Sequence, residues 1–224
     1  QKIILFDEKI HGAKTDGTVD GSPVVAGNFF FGYEHPMAQN TAMGGVVQCS
    51  FNRNAVLKNG ETLTQSCVLG VAPAGQMRRG FLAYIERERA HPYRPFLHYN
   101  SWYDIAWDNR KYNEAESLNA IDQFGRELVQ KRGVQMNSFL FDDGWDDSKT
   151  LWQFHSGFPN GFTPLRSEAE KYHAGIGVWI SPFGGYNVAK QQRLQYASQF
   201  GFETNASGFS LSGPKYFQRF HDIV

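Results

Sequence analysis

The sequence predicts two domains: an antiparallel β-sandwich over residues 1–93, followed over 94–224 by the first three βα units of an incomplete (β/α)8 barrel. Three observations carry this. Short alternating or β-rich runs separated by turn-rich stretches fill the first part. After HPYRP (91–95), whose two prolines mark a linker, the rhythm becomes strand, loop, helix, repeated. The three strand ends, at Asn100, Asp142 and Ser181, are spaced by 42 and 39 residues, a steady repeat near 40.

The sandwich strands are expected at KIILF (2–6), NFFFGY (28–33), GGVVQCSF (44–51) and TLTQSCVLGVA (62–72), with TDGTVDGSP and LKNGET as turns. RRGFLAYIERERA (78–90) reads as a strand or a short helix, and its Glu86-Arg87-Glu88-Arg89 run as a solvated face. Cys49 and Cys67, each in an alternating segment, can pair across neighbouring strands or stay reduced.

In the second part FLHYN (96–100) opens as a strand. Asn113 with Glu116 three residues on forms a capping box for a helix carrying Leu118, Ile121, Phe124 and Leu128 on one face and stopping at Gly133. MNSFLF (136–141) is the second strand, followed by a loop and a short helix near 164–173. GIGVWI (175–180) is the third strand, leading through SPFGGY to a helix over 188–200. A last helix opens at Ser212-Gly213-Pro214, with proline in its first turn. A doubly wound sheet would fit the spacing too, but no glycine-rich phosphate loop follows the first strand, which favours the barrel. Eight units need on the order of 300 residues, so the chain is expected to be a fragment. Its start in strand-like sequence without a methionine gives the same expectation.

The totals narrow the function. Lysine plus arginine equal aspartate plus glutamate at 22 each, so nucleic acid and anionic membranes are not the expected partners. No apolar run approaches the length of a membrane span, and QKIILFDEKI lacks the apolar segment of a signal peptide. Two cysteines do not fix the compartment; secretion or a periplasmic location is compatible with them. Association into homo-oligomers is left open, since an open set of βα units exposes strand edges and helix faces.

Function concentrates at the strand ends NSWYD (100–104), DDGWDD (142–147) and WISPFGGY (179–186), because barrel chemistry sits at the carboxyl ends of the strands. Four carboxylates in six positions have no place in a core. With an indole at each end they match a sugar. The apolar C–H face of a pyranose lies against tryptophan, and ionised aspartates accept short charge-assisted bonds from its hydroxyls. Asp142 and Asp143 point to opposite faces unless the strand ends between them and Gly144 turns the chain. Trp145 is then expected to form a wall. Any one of Trp102, Trp145 or Trp179 taken singly is more often packing than platform. Asp146 and Asp147 read as loop or helix-start residues.

A metal is not expected. Calcium loops alternate their ligands, and DDGWDD does not; His98 and His155 lack paired zinc-ligand spacing. No cofactor motif is present, and neither G-x-S-x-G nor H-E-x-x-H occurs. A metal-dependent barrel hydrolase using the aspartates as ligands and a non-catalytic carbohydrate-binding protein stand as alternative readings.

The ordered series NSW, FLFDDGW and GIGVWISP resembles glycoside hydrolase families 27 and 36, the retaining α-galactosidases and α-N-acetylgalactosaminidases. FFFGYEHP resembles the sandwich that precedes the barrel in bacterial members close to family 36. The resemblance implies an oligosaccharide or glycoconjugate substrate and no cofactor. It implies that Trp102 lines the terminal-sugar subsite, that Asp142 and Asp143 take the 4- and 6-hydroxyls, and that Trp179 is the aromatic residue of the third strand. SPFGGY stands where family 36 commonly has an acidic E-P-E type sequence. The family's nucleophile is an aspartate in a K-x-D sequence on the fourth strand, and its acid/base lies further on. Retaining hydrolysis needs two carboxyl groups about 5 Å apart. Both are therefore expected after Val224, and no residue of this chain is assigned as catalytic.

Overall fold

The computed structural model describes residues 5–6, 17–43, 46–52, 56–108 and 110–224, which fall into two compact units, 1–94 and 95–224. Among the described residues, the first unit holds two sheets. One has four strands in the order β1 (Leu5–Phe6), β3 (Val24–Ala26), β4 (Phe29–Tyr33), β7 (Cys67–Val71); the other has three, β2 (Gly17–Asp20), β5 (Ala38–Met43), β6 (Val46–Phe51). All pairings are antiparallel except β1 with β3, which is parallel, so the larger sheet is mixed rather than purely antiparallel. Residues 2–4 of the expected first strand and Gly44 and Gly45 of the third lie outside the described residues. The stretch read as a turn, TDGTVDGSP, contains β2, whose Val19 is buried beside Val24 and packs with Val47.

The ambiguous segment after residue 77 is a helix, α1 (Met77–Glu88), not a strand. Its buried Phe81 and Tyr84 close over Phe30 of β4, with ring centroids 5.2 and 5.1 Å away. A sheet face needs such a cover because apolar side chains stabilise only when removed from water. Buried Asn40 is satisfied: its Nδ2 donates to the Ser22 carbonyl at 2.7 Å. Cys49 and Cys67 are free thiols.

The second unit is built on three parallel strands in the order β10 (Gly175–Val178), β9 (Ser138–Phe141), β8 (His98–Asn100). The central strand buries Phe139 and Phe141 completely, each a gain of roughly 1.5–3 kcal/mol over leaving the ring in water. Between β8 and β9 runs α2 (Glu114–Phe124), opened by the full Asn113–Glu116 capping box and continued by a π-helical turn over Gly125–Gln130. It ends at Gly133, whose φ of +65° lets the Val134 N–H reach the Leu128 carbonyl. Ile121 on α2 meets Leu165 and Ala169 of α3 (Thr163–Glu170) in the core.

After β10 come α4 (Asn187–Ser198), a hairpin of β11 (Thr204–Asn205) and β12 (Gly208–Phe209), and α5 (Pro214–Ile223). The hairpin lies in a segment with no strand signature. The N-cap of α5, Gly213, has no side chain to satisfy the first amides, and Glu203 does so from outside, accepting from Tyr216 N at 2.9 Å and Lys215 N at 3.3 Å.

Candidate functional site

The carboxyl ends of β8, β9 and β10 open into a cleft of about 350 Å3. The chain leaves β8 through a short 3₁₀ turn, Ser101–Tyr103, which Asn100 caps by accepting the Trp102 amide at 2.9 Å. Ser101 is fully buried, and its Oγ accepts the Asp142 N–H at 2.8 Å, joining the ends of the first two strands. Tyr112 donates its hydroxyl to the Asp142 carbonyl. Burial raises the Tyr112 phenol well above its ordinary range, which keeps it a neutral donor.

Asp142 and Asp143 diverge as strand β9 ends. The Asp142 carboxylate folds back so that its Oδ1 accepts the Asp143 N–H at 2.7 Å. Gly144 follows at φ +123°, and a Cβ there would collide with the Arg110 carbonyl. Glycine is needed for both the turn and the close approach. Both carboxylates line the cleft, between the half-buried indoles of Trp102 and Trp179.

Trp145 lies elsewhere. The expectation that it forms a wall is corrected: it is only 4% exposed and sits in the core. Its Nε1 donates to the Trp179 carbonyl at 2.9 Å, and its ring packs on Phe154 and Phe162. A large indole satisfies its one donor more easily on a fixed backbone carbonyl than at an open wall. Trp145 therefore supports the cleft from below by holding the backbone of Trp179.

Asp146, read as a loop or helix-start residue, is instead one half of a buried ion pair. Its carboxylate takes Arg193 Nε at 3.0 Å and Nη2 at 2.8 and 2.9 Å, and both side chains are 1% exposed. Burial pushes the Asp146 carboxyl up from its ordinary range, and the Arg193 guanidinium opposes the shift. Removing one partner would strand a buried charge at a cost of about 3–5 kcal/mol. Asp147 does stay in the loop, its Oδ1 accepting Lys149 N at 2.9 Å.

Arg110 is a cleft residue that sequence reasoning missed. It has φ +52°, its guanidinium lies 4.6 Å from the Trp102 ring centre, and its Nη1 is 3.3 Å from Asp143 Oδ2. Asn187, the first residue of α4, also lines the cleft with a positive φ, +48°. Such conformations in non-glycine residues concentrate at functional sites. Exposed Tyr103 and Tyr186 form the rim. Among the described residues no three His, Cys, Asp or Glu side chains converge as metal ligands would.

Parallel strands whose ends gather acceptors and indoles into one cleft belong to a fold used by glycoside hydrolases. In particular, the chain has a fold like that of glycoside hydrolase family 36. A family 36 α-galactosidase from Geobacillus stearothermophilus, solved with stachyose, superposes with a TM-score of 0.58 at 18% identity, covering 87% of this chain and 30% of that one. An α-galactosidase from Thermus thermophilus, solved with p-nitrophenyl α-D-galactopyranoside, superposes with a TM-score of 0.50 at 17% identity, covering 83% of this chain and 35% of that one. The likeness is one of fold, and the chain spans about a third of the length of either enzyme. No family model matches the sequence, and no curated protein matches it significantly.

Proposed function

We propose that the chain carries part of the terminal-sugar pocket of a retaining glycoside hydrolase acting on α-linked galactose or N-acetylgalactosamine. In this reading residues 1–93 are a β-sandwich, and 94–224 are the first three units of a (β/α)8 barrel. The observation that carries the proposal is the adjacency of the Asp142 and Asp143 carboxylates in one cleft with Trp102 and Trp179. An axial 4-hydroxyl lies on the same side of the ring as the 6-hydroxyl, so neighbouring acceptors can take both, while the apolar ring face rests on an indole. The fold shared with α-galactosidases supports the same substrate class.

Asp142 and Asp143 act in recognition. They are consecutive in sequence and enter the cleft from one strand end, whereas hydrolysis with retention needs carboxyl groups on opposite sides of the scissile bond, about 5 Å apart. No residue of the described cleft is assigned as nucleophile or acid/base, and the 224 residues alone are expected not to hydrolyse an aryl α-galactoside. Turnover by them would refute that expectation. The lack of an opposed carboxyl pair among the described cleft residues equally favours a non-catalytic carbohydrate-binding role. Activity of the intact protein on the aryl galactoside separates the two.

Calorimetry with galactose, N-acetylgalactosamine and glucose tests the shared core of both readings. Galactose-type sugars should bind at least several-fold more tightly than glucose, and Asp142→Ala should abolish the preference while the protein remains folded. Equal binding of galactose and glucose would overturn the proposal.

A further inference from the structure

The two glycines of SPFGGY are explained by Arg193. Gly184 and Gly185 adopt φ values of +95° and +86°. A Cβ on Gly185 would lie 2.6 Å from Arg193 Nη1, so the glycine leaves room for the guanidinium. Gly184 turns its carbonyl to accept from the same Nη1 at 3.0 Å. Arg193 reaches from α4 beneath the cleft, with its guanidinium carbon 4.1 Å from the Trp152 ring centre.

This arginine thus contacts two of the three strand-end segments that build the cleft, those after β9 and β10. One side holds Asp146 through a fork of bonds at 2.8–3.0 Å, and another holds the 184 carbonyl. Its Nη2 also stands 3.8 Å from Asp143 Oδ1. Asp143 therefore faces two guanidinium groups, Arg193 from below and Arg110 at 3.3 Å from the cleft side. The two differ in fixity: Arg193 is 1% exposed and hydrogen-bonded to both Asp146 and the Gly184 carbonyl, while Arg110 is 47% exposed. The Asp142 carboxylate instead accepts the Asp143 amide at 2.7 Å. The two neighbouring acceptors are thus held by different means.

We propose that the buried Arg193–Asp146 pair is a positioning device that orients Asp143, and not Asp142, toward one hydroxyl of the bound sugar while fixing the Gly184 loop against the same cleft. Arg193 is a positioning residue: it does not line the cleft and acts through the carboxylate it faces. A planar fork is suited to this because, while hydrogen-bonded to Asp146, it holds its delocalised charge 3.8 Å from Asp143 at a fixed position, which the flexible point charge of lysine would not do. The inference rests on the galactoside-pocket reading and adds a division of labour within it.

Hydroxyl-deleted sugars read the effect. In the intact protein, 4-deoxygalactose and 6-deoxygalactose should each bind about 10-fold or more weaker than galactose, the loss expected for a bond to a charged acceptor. In Arg193→Lys, one of these two penalties should fall to within about 2–3-fold, and the other should persist. Asp146→Asn, which keeps the shape but removes the charge that anchors the fork, should show the same one-sided collapse. A merely structural role would lower affinity for all three sugars together and leave both penalties in place, and that result would overturn the proposal. Persistence of both penalties in Arg193→Lys, with its near-ultraviolet dichroism unchanged, would overturn it too. If the unmodified protein shows neither penalty, the pocket reading itself fails.

Discussion

Ser101 Oγ accepts the amide of Asp142 at 2.8 Å, so the residue that follows β8 anchors the backbone that carries the first cleft aspartate after β9. The bond is part-buried, with Ser101 itself fully buried. Ser101→Ala should therefore cost on the order of 1 kcal/mol of stability, the penalty of an amide that loses its partner. It should also weaken galactoside binding, since the backbone carrying Asp142 loses its anchor. Urea denaturation and calorimetry on the same variant check both, and unchanged stability would remove the anchoring role.

Gly144 cannot be replaced cheaply. Its φ of +123° is a conformation that side chains avoid, and a Cβ would meet the Arg110 carbonyl. Gly144→Ala should destabilise by roughly 1–3 kcal/mol or more and displace Arg110, reducing sugar affinity together with stability. A fully stable variant with normal affinity would contradict the close packing of these two segments.

Trp145→Phe discriminates a wall from a support. Losing the donor to the Trp179 carbonyl should lower stability by about 1–3 kcal/mol, whereas a wall residue would lower sugar affinity at unchanged stability. Thermal melting and calorimetry compared with Trp102→Phe decide between them.

The Glu203 carboxyl is held below its ordinary range, chiefly by the Tyr216 amide it accepts, with its own backbone amide and that of Lys215 adding to the effect. A depressed value in the folded state means that its stabilising contribution is present above the unfolded-state value of about 4.3 and is lost as pH falls through the lower folded value. Glu203→Gln should therefore be less stable than the unmodified chain near neutral pH, with the gap narrowing in acid. A gap independent of pH would show that charge at the start of α5 does not matter.

Much of the second unit is legible in the sequence because its signals are local. The Asn113–Glu116 capping box, the αL stop at Gly133 and the proline opening α5 each lie within a few residues of the feature they specify. The regular strand spacing likewise brings Trp102, Asp142, Asp143 and Trp179 to one cleft. What was hidden depends on partners distant in sequence. Asp146 looks like any loop aspartate until Arg193 meets it 47 residues later. Trp145 and Trp179 occupy equivalent-looking positions after their strands, and only packing makes one a support and the other a lining residue. In the first unit, Val19 and Val24 flank turn-forming residues, so tertiary burial overrides local propensity in β2 and β3.

The most direct test is a structure of this protein with D-galactose bound. The expected result places carboxylate oxygens of Asp142 and Asp143 within about 3 Å of the 4- and 6-hydroxyls, with the ring against Trp102 or Trp179. A sugar bound away from that cleft, or held in it with both aspartates turned aside, would contradict the central claim.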